Sequence, residues 1–369
     1  MIDEFRAYRE NRHQEAKKWK EQTGGKVLGV YCCNIPEEMI HAAGILPVRI
    51  LGNQEETTEA DLHFPSNVCP YLKRCFDQAL KGRYDYLDGV VVPNVCNMVR
   101  SLYGFSKVVL KMPHAFFLET PEAVGPESVS FFTEELGRFK EFLEDFSGKE
   151  ISAETLANSI EVYNENRALL RKVYELKRRS PPLISGAEAQ EIVLSSMLLP
   201  KEKHSQQLAQ LLEQVASRKD APSQGIRLFV SASMLDNTAL FRLIEDCGGN
   251  VVADDMPTGS RYFYYSVDSD KQPLYALAER YVNKIPCPRK VLLEARLDYV
   301  TETMKGAEVK GVIIHNLRAC DPHLYEYPVL KEKFEQQGLP VLYFRGEEKP
   351  AEREEQRNEI EAFLEVIQG

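Results

Sequence analysis

Hydrophobic positions recur along this chain with two different spacings. Short apolar runs rich in Val and Ile are typical of buried strands, and stretches with apolar positions three or four residues apart are typical of helices. Strands are predicted at KVLGVY (26–31), PVRIL (47–51), DGVVV (88–92) and KVVLKM (107–112), and helices at PEEMIHAAG, PYLKRCFDQAL and NMVRSLYGF between them. Strand and helix in alternation predict a parallel, doubly wound sheet.

The strand pattern stops between about Pro121 and Pro222, where charged amphipathic stretches predict helices. The longest is SAETLANSIEVYNENRALLRKVYELKRR (152–179), and Ser185 with Glu188 forms the S-x-x-E pattern of a helix start. After APSQG (221–225) the alternation resumes with IRLFVSAS, ALFRLIEDCGG, NVVADD, LYALAERYV, KGVIIHN, YPVLKEKFEQQG and LPVLYF. These runs predict a second α/β domain.

The predicted fold class is therefore α/β, with two Rossmann-like (flavodoxin-like) parallel-sheet domains and a helical insert between them. A chain of 369 residues with 43% hydrophobic content is long enough for several cores. Its predicted parts are an N-terminal helix (1–24), α/β domain 1 (25–120), a helical segment (121–222) and α/β domain 2 (223–369). The first helix is expected to run from residue 3 to about residue 22, before Thr23-Gly24-Gly25.

The charge balance narrows the classes of partner. The chain has 46 basic and 56 acidic residues, a net charge of −10, so no broad basic field attracts nucleic acid or an anionic membrane. Neither is expected as a partner. The N-terminus is densely charged, without the apolar region of a signal peptide, and no apolar run approaches the length that spans a bilayer. A cytoplasmic location is predicted.

The cysteines are the candidate catalytic or metal-binding residues of this chain. The eight of them are Cys32, Cys33, Cys69, Cys75, Cys96, Cys247, Cys287 and Cys320. They are too sparse for a disulfide scaffold, which leaves thiols, catalytic groups or metal ligands. Cys32, Cys96 and Cys320 each follow a predicted strand, where doubly wound sheets bind ligands. Cys69 precedes Pro70, a residue that suits a first helical turn, so free backbone N–H groups are expected to favour its thiolate.

These positions leave several interpretations open. A single cysteine is often a small buried apolar residue, and Cys75 is predicted to be one. Zinc is disfavoured because paired C-x-x-C spacing is missing, whereas an iron–sulfur cluster can take ligands from distant loops. The chain has no G-x-x-x-x-G-K-[ST], G-x-S-x-G or H-E-x-x-H motif, so ATP hydrolysis by this chain itself is not expected.

Five segments resemble the 2-hydroxyacyl-CoA dehydratase and benzoyl-CoA reductase family. They are GVYCCNIPEEMIHAAGILPVRILG (29–52), FPSNVCPYLKRC (64–75), LDGVVVPNVCNMVRSLYGF (87–105), LRACDPHLYEYPVLKE (317–332) and GLPVLYF (338–344), in an order that runs from about residue 25 to the C-terminus. The resemblance implies a [4Fe–4S] cluster on three cysteines. The motifs CPY, PNVCN and RACDP assign Cys69, Cys96 and Cys320 as its ligands, and Cys32 is a reserve candidate at an active-site position.

The resemblance also implies partners and a reaction. Members of the family are heterodimers of two related cluster-bearing subunits, which receive electrons from an ATP-hydrolysing iron–sulfur activator and act on an acyl-CoA substrate. GSRYFYYSVD and KIPCPRK look most like the smaller cluster-bearing subunit of class I benzoyl-CoA reductase. They predict ATP-dependent reduction of an aryl-CoA to a cyclic dienoyl-CoA.

Three alternatives lie within or beside the family. The chain can be a subunit of an (R)-2-hydroxyacyl-CoA dehydratase that eliminates water through a ketyl radical, or a non-catalytic electron-relay subunit. A double-cubane cluster protein is disfavoured, because Met256 and a single Cys287 stand where that relative has further cysteines. A three-cysteine cluster would leave one iron open to water or a substrate oxygen.

Polar residues near the predicted strand ends complete the predicted site. Glu37 and Glu38 are predicted, with Cys32, as catalytic residues; their alternative role is to stabilise a helix start. In ADDMPTGSRYFYY, Asp255, Arg261 and Tyr262 are predicted to line the substrate crevice, together with Asp254. Arg261 can equally bind a CoA phosphate or a structural carboxylate.

Overall fold

Two parallel sheets form the framework of the molecule. The computed structural model describes residues 2–218, 222, 224–284, 287–290 and 293–369. Within them, one four-stranded sheet has the order β2-β1-β3-β4 and the other the order β6-β5-β7-β8. The strands are β1 (Val27–Val30), β2 (Leu46–Arg49), β3 (Gly89–Pro93), β4 (Ala115–Leu118), β5 (Ile226–Ala232), β6 (Gly249–Asp255), β7 (Gly311–Leu317) and β8 (Val341–Gly346). The predicted α/β class with two Rossmann-like sheets is confirmed.

Helices connect the strands. They are α1 (Ile2–Glu10), α2 (Arg12–Thr23), α3 (Glu37–Ala42), α4 (Pro70–Leu80), α5 (Asn97–Val108), α6 (Pro126–Ser147), α7 (Ala153–Arg178), α8 (Gly186–Ser196), α9 (Lys201–Val215), α10 (Ala239–Asp246), α11 (Ser260–Phe263), α12 (Pro273–Asn283), α13 (Leu293–Lys305), α14 (Asp321–Gln336) and α15 (Arg353–Gln368). In the part of the chain that the structure describes, none is long and apolar enough to cross a membrane.

Helices α6 to α9 occupy the stretch between the two sheets in the chain. The predicted division into domains stays a prediction, and its last boundary adjoins residues 219–221 and 223, which lie outside the described residues. Several local signals act as the sequence indicates. Ser185 and Glu188 form a capping box at the start of α8, and α4 begins at Pro70 with Cys69 as its N-cap.

Two predicted elements are wrong in detail. KVVLKM is predicted to be a strand, but α5 continues to Val108 and the strand is the next apolar run, Ala115–Leu118, which pairs with β3. A short apolar run does not distinguish a strand from the end of a helix. The single N-terminal helix is divided at Asn11 into α1 and α2.

The cores of the two halves meet near the end of β7. Leu317, the last residue of that strand, packs into the cluster that also contains Val48, Phe76 and Val90 of the first sheet and its helices. Leu194 of α8 packs into the same cluster. The carboxyl end of the second sheet is thus fixed against the first by apolar packing.

Acid should destabilise the fold through the buried His204. Its Nε2 donates to the Ile192 carbonyl (3.1 Å), its Nδ1 accepts from Asn166 Nδ2 (2.9 Å), and burial, with a contribution from Lys201, lowers its pKa to about 3. Below about pH 6.5 the imidazole of this residue is protonated in the unfolded chain but stays neutral in the folded chain. The free energy of unfolding should therefore fall by about 1.4 kcal/mol for each pH unit of acidification, as far as this group is concerned.

Urea unfolding at about pH 7 and about pH 5 measures this effect. His204→Gln should lose less stability between the two pH values than the original chain does, and the control His63→Gln, at an exposed position, should behave like the original chain. An unchanged pH dependence in His204→Gln would contradict the assignment.

Candidate metal and substrate site

A pocket of about 610 Å³ lies beyond the carboxyl ends of β1, β3, β5 and β7. These are the two central strands of each sheet, and their connections lead outwards in opposite directions, to β2 or β4 and to β6 or β8. Such switch points leave a crevice in which α/β proteins bind ligands. The pocket is lined by Cys32 after β1, Cys96 after β3, Met234 after β5 and Cys320 after β7.

The three cysteines predicted as ligands line this one pocket, and each is the N-cap of a helix. Cys69 precedes α4, Cys96 precedes α5 and Cys320 precedes α14. Cys96 Sγ accepts a hydrogen bond from the backbone N–H of Val99 (3.5 Å). The sequence predicts helices that begin directly after Cys69 and Cys96. It does not predict the helix start after Cys320, although Pro322 gives the same signal there.

The backbone N–H groups at the start of α4 favour the thiolate of Cys69 as expected, but the prediction that Cys69 is a thiolate is overturned by its burial. Burial raises the pKa of its thiol, and the backbone N–H groups of Leu72 and Tyr71 only partly offset this. Burial likewise raises the pKa of Cys96 to about 11 and raises that of Cys320. The Cys69 and Cys96 thiols contribute to the raised pKa of Cys320, in keeping with their place at the same pocket. Such thiols lose their protons when a metal binds.

The donor set suits a cluster better than one ion. Within 2–218, 222, 224–284, 287–290 and 293–369, no three Cys, His, Asp or Glu side chains are close enough to hold a metal ion. A [4Fe–4S] cluster spans several iron atoms, so its ligating sulfurs stand farther apart than the ligands of a single ion. Soft thiols from separate loops around an apolar pocket fit that requirement. The assignment of the ligands remains a prediction.

Arginine contacts tie the loops of Cys69 and Cys320 together. Arg318 donates to the backbone oxygen of Ser66 and pairs with Glu347, which follows β8. Arg74 on α4 donates to the Glu347 carbonyl (2.6 Å). The two loops come from different sheets, so these contacts set the separation of their cysteines.

A cluster of buried charges lies beside the pocket. Asp255 accepts from Arg261 Nε (2.6 Å) and Nη2 (2.9 Å), and it pairs with Arg296 (2.6 Å), which also contacts Glu326. Burial alone would raise the pKa of Asp255, but the two guanidinium groups outweigh it and hold the pKa below its usual range. The sequence allows Arg261 to bind either a CoA phosphate or a structural carboxylate. In the structure it binds the structural carboxylate of Asp255. Arg296 and Glu326 line the pocket.

Glu37, Glu38 and Tyr262 belong to a second buried network. Glu37 accepts from Tyr262 (2.6 Å) and from Arg49 (3.2 Å), and Glu38 accepts from Arg167 and from Tyr281. None of the three predicted residues is among the described residues that line the pocket. Both carboxylates have the partners of structural groups, and their catalytic role stays a prediction.

The thiols of Cys32 and Cys33 have pKa values that are shifted in opposite directions. Their mutual hydrogen bond lowers the pKa of Cys33, helped by Lys284 and Arg49, and raises that of Cys32. Cys32 lines the pocket and Cys33 is buried behind it. No local pattern in the sequence indicates this, because Lys284 comes from a distant part of the chain.

Residues 32–367 match the family model described as 2-hydroxyglutaryl-CoA dehydratase, D-component. The chain belongs to this family. The family predicted from the sequence is confirmed. The prediction that the chain is part of an enzyme of the acyl-CoA reductase or dehydratase type is also confirmed. The chain is 27% identical to the (R)-phenyllactyl-CoA dehydratase beta subunit of Clostridium sporogenes over 100% of this chain and 98% of that one.

Other relatives are named as subunits of a reductase or of a dehydratase. The chain is 27% identical to a subunit of the benzoyl-CoA reductase of Thauera aromatica, covering 95% of this chain and 94% of that one. It is 26% identical to the lactoyl-CoA dehydratase beta subunit of Anaerotignum propionicum, with the same coverage of 95% and 94%. The relatives of this chain thus include subunits of reductases and of dehydratases, at similar levels of identity to it.

The charge cluster should be essential for stability. In Asp255→Asn, the buried Arg261 and Arg296 lose the carboxylate between them, and we expect a loss of about 3 kcal/mol or more in the free energy of unfolding by urea. The matched control is Asp246→Asn, which removes an exposed carboxylate 3.9 Å from Arg357 and should cost about 1 kcal/mol or less. Equal losses in the two variants would contradict this interpretation.

Proposed function

We propose that this chain is the cluster-binding subunit of an ATP-dependent aryl-CoA reductase, with a [4Fe–4S] cluster on Cys69, Cys96 and Cys320. The observation that carries the proposal is the meeting of these three cysteines, from loops of both sheets, at one pocket. When bound, such a cluster supplies single electrons of low potential. The side chains of this protein then bind and orient the acyl group, exclude water and supply protons.

The walls of the pocket favour an apolar acyl group. Tyr31, Leu72, Val95, Met98 and Met234 line it, which suits an aromatic ring better than a dicarboxylic acyl chain. The basic side chains of Arg100 and Arg289 also line it and are suited to the phosphates of CoA.

Lys290 is the proton donor we favour. Ring reduction consumes protons, and burial, followed by the charge of Lys284, lowers the pKa of Lys290 to about 8. A group that loses its proton near neutral pH is suited to proton transfer. Unlike Glu37 and Glu38, Lys290 lines the pocket.

A second candidate is dehydration of an (R)-2-hydroxyacyl-CoA. It is favoured by the similarity to the phenyllactyl-CoA dehydratase beta subunit, which extends over 100% of this chain. That protein is named for an acyl group with an aromatic ring, which the same apolar pocket would accommodate. Water would be eliminated without net oxidation or reduction.

Partners follow from the same proposal. The related proteins are named as subunits, and we propose that this chain also pairs with a second subunit of the family and receives electrons from an ATP-hydrolysing iron–sulfur protein. The exposed ring of Tyr325 at the pocket (82% exposed) is available to such a partner.

Iron content tests the ligand assignment. After anaerobic reconstitution, the chain should hold about four irons, and Cys69→Ser, Cys96→Ser and Cys320→Ser should each lose most of them. Cys247→Ser is the control, because Cys247 lies at the end of α10 and does not line the pocket, so it should keep its iron. Iron and sulfide analysis with EPR provides the measurement. Undiminished iron in the three pocket variants would refute the assignment.

The product formed under anaerobic conditions separates the two reactions. With its partner subunit, the ATP-hydrolysing electron donor and ATP, the complex should convert benzoyl-CoA to a cyclic dienoyl-CoA. Formation of an enoyl-CoA from (R)-phenyllactyl-CoA, with benzoyl-CoA left unchanged, would favour the dehydratase instead. Inactivity on both substrates with a fully loaded cluster would contradict both candidates.

A further inference from the structure

His323 stands between a predicted cluster ligand and the buried charge cluster. Its Nδ1 is 3.3 Å from Cys320 Sγ, and its Nε2 is 3.3 Å from Arg261 Nη1 and 3.4 Å from Arg261 Nη2. The side chain is buried, 6% exposed, and lies at the wall of the pocket. One imidazole ring thus links the sulfur to the arginine.

Arg261 determines which nitrogen of His323 carries the proton. A guanidinium group has only N–H donors, so the Nε2 that faces it must accept. A neutral ring with an accepting Nε2 carries its proton on Nδ1. The Nδ1–H group therefore points at Cys320 Sγ and donates to it. The geometry of the two contacts alone leads to this tautomer.

Both ends of this link are fixed in place. Asp255 binds Arg261 through Nε and Nη2, so the guanidinium group cannot turn away from the ring. The backbone N–H of His323 donates to the Cys320 carbonyl (3.1 Å), and Asn316 Nδ2 donates to the carbonyl of His323 (3.0 Å). The distance between the ring and the sulfur is therefore set by the first turn of α14.

We propose that His323 is a positioning residue that donates its Nδ1–H to the sulfur of Cys320 and thereby raises the reduction potential of the cluster; this rests on the proposed function, in which Cys320 is a ligand. Reduction adds negative charge to a cluster and its sulfurs. A hydrogen bond to a ligating sulfur stabilises that charge, so the reduced form is favoured. Asp255 and Arg261 then serve the cluster by orienting His323.

The test compares two replacements of His323 in the reconstituted chain. His323→Leu removes the donor, and its midpoint potential, followed by EPR during an anaerobic redox titration, should shift to a more negative value. His323→Asn places an amide N–H near the position of Nδ1 and should restore the potential towards that of the original chain. His315→Leu is the control, because His315 is buried on β7 but lines a different, smaller pocket, and its potential should not change.

The possible results separate the role of His323 from the proposed function of the chain. An unchanged potential in His323→Leu, with iron bound normally, overturns the role of His323 and leaves the proposed function standing. An original chain that binds no iron overturns both. If His323→Leu does not fold, the tautomer is measured in the original chain by ¹⁵N NMR of labelled histidine. A proton on Nδ1 of His323 supports the proposal, and a proton on Nε2 overturns it.

Discussion

The order of the strands in the two sheets creates the crevice in which the candidate site lies. In each sheet the two central strands send their connections outwards in opposite directions, and no helix can cover the space beyond their carboxyl ends. The two sheets turn these ends towards the same pocket. Loops from four strands can therefore bring together side chains that are far apart in the sequence, such as Cys32 and Cys320, which are 288 residues apart (320 − 32).

Charges buried beside the pocket hold its walls in place. A carboxylate as deeply buried as that of Asp255 would be costly alone, and the guanidinium groups of Arg261 and Arg296 compensate for it. The same arginines reach the pocket, one through His323 and the other with Glu326 at the lining. Stability and the environment of the thiols thus depend on one set of contacts.

Much of the fold could be predicted because its signals are local. Pro70 after Cys69 and the Ser185–Glu188 box fix helix starts within one turn, and Val-rich runs mark the central strands. The run KVVLKM misleads because periodicity is ambiguous over a few residues, and only pairing with β3 selects Ala115–Leu118 as the strand.

The site was less predictable because its contacts connect distant segments. Strand ends and family motifs point to the three cysteines, but burial, which the sequence does not reveal, keeps their thiols protonated. The contact of Arg261 with His323 joins residues 62 positions apart. The pattern Pro36-Glu37-Glu38 has two interpretations, and only the structure reveals the arginine and tyrosine partners of the carboxylates.

We propose that one pocket, formed by both sheets, binds a cluster through three helix-capping cysteines. The most direct measurement is anomalous diffraction at the iron absorption edge from crystals of the anaerobically purified protein. We expect a compact group of iron peaks in the pocket, bonded to the sulfurs of Cys69, Cys96 and Cys320. Iron bound at other cysteines, or a pocket without iron in protein that contains it, would contradict this ligand assignment.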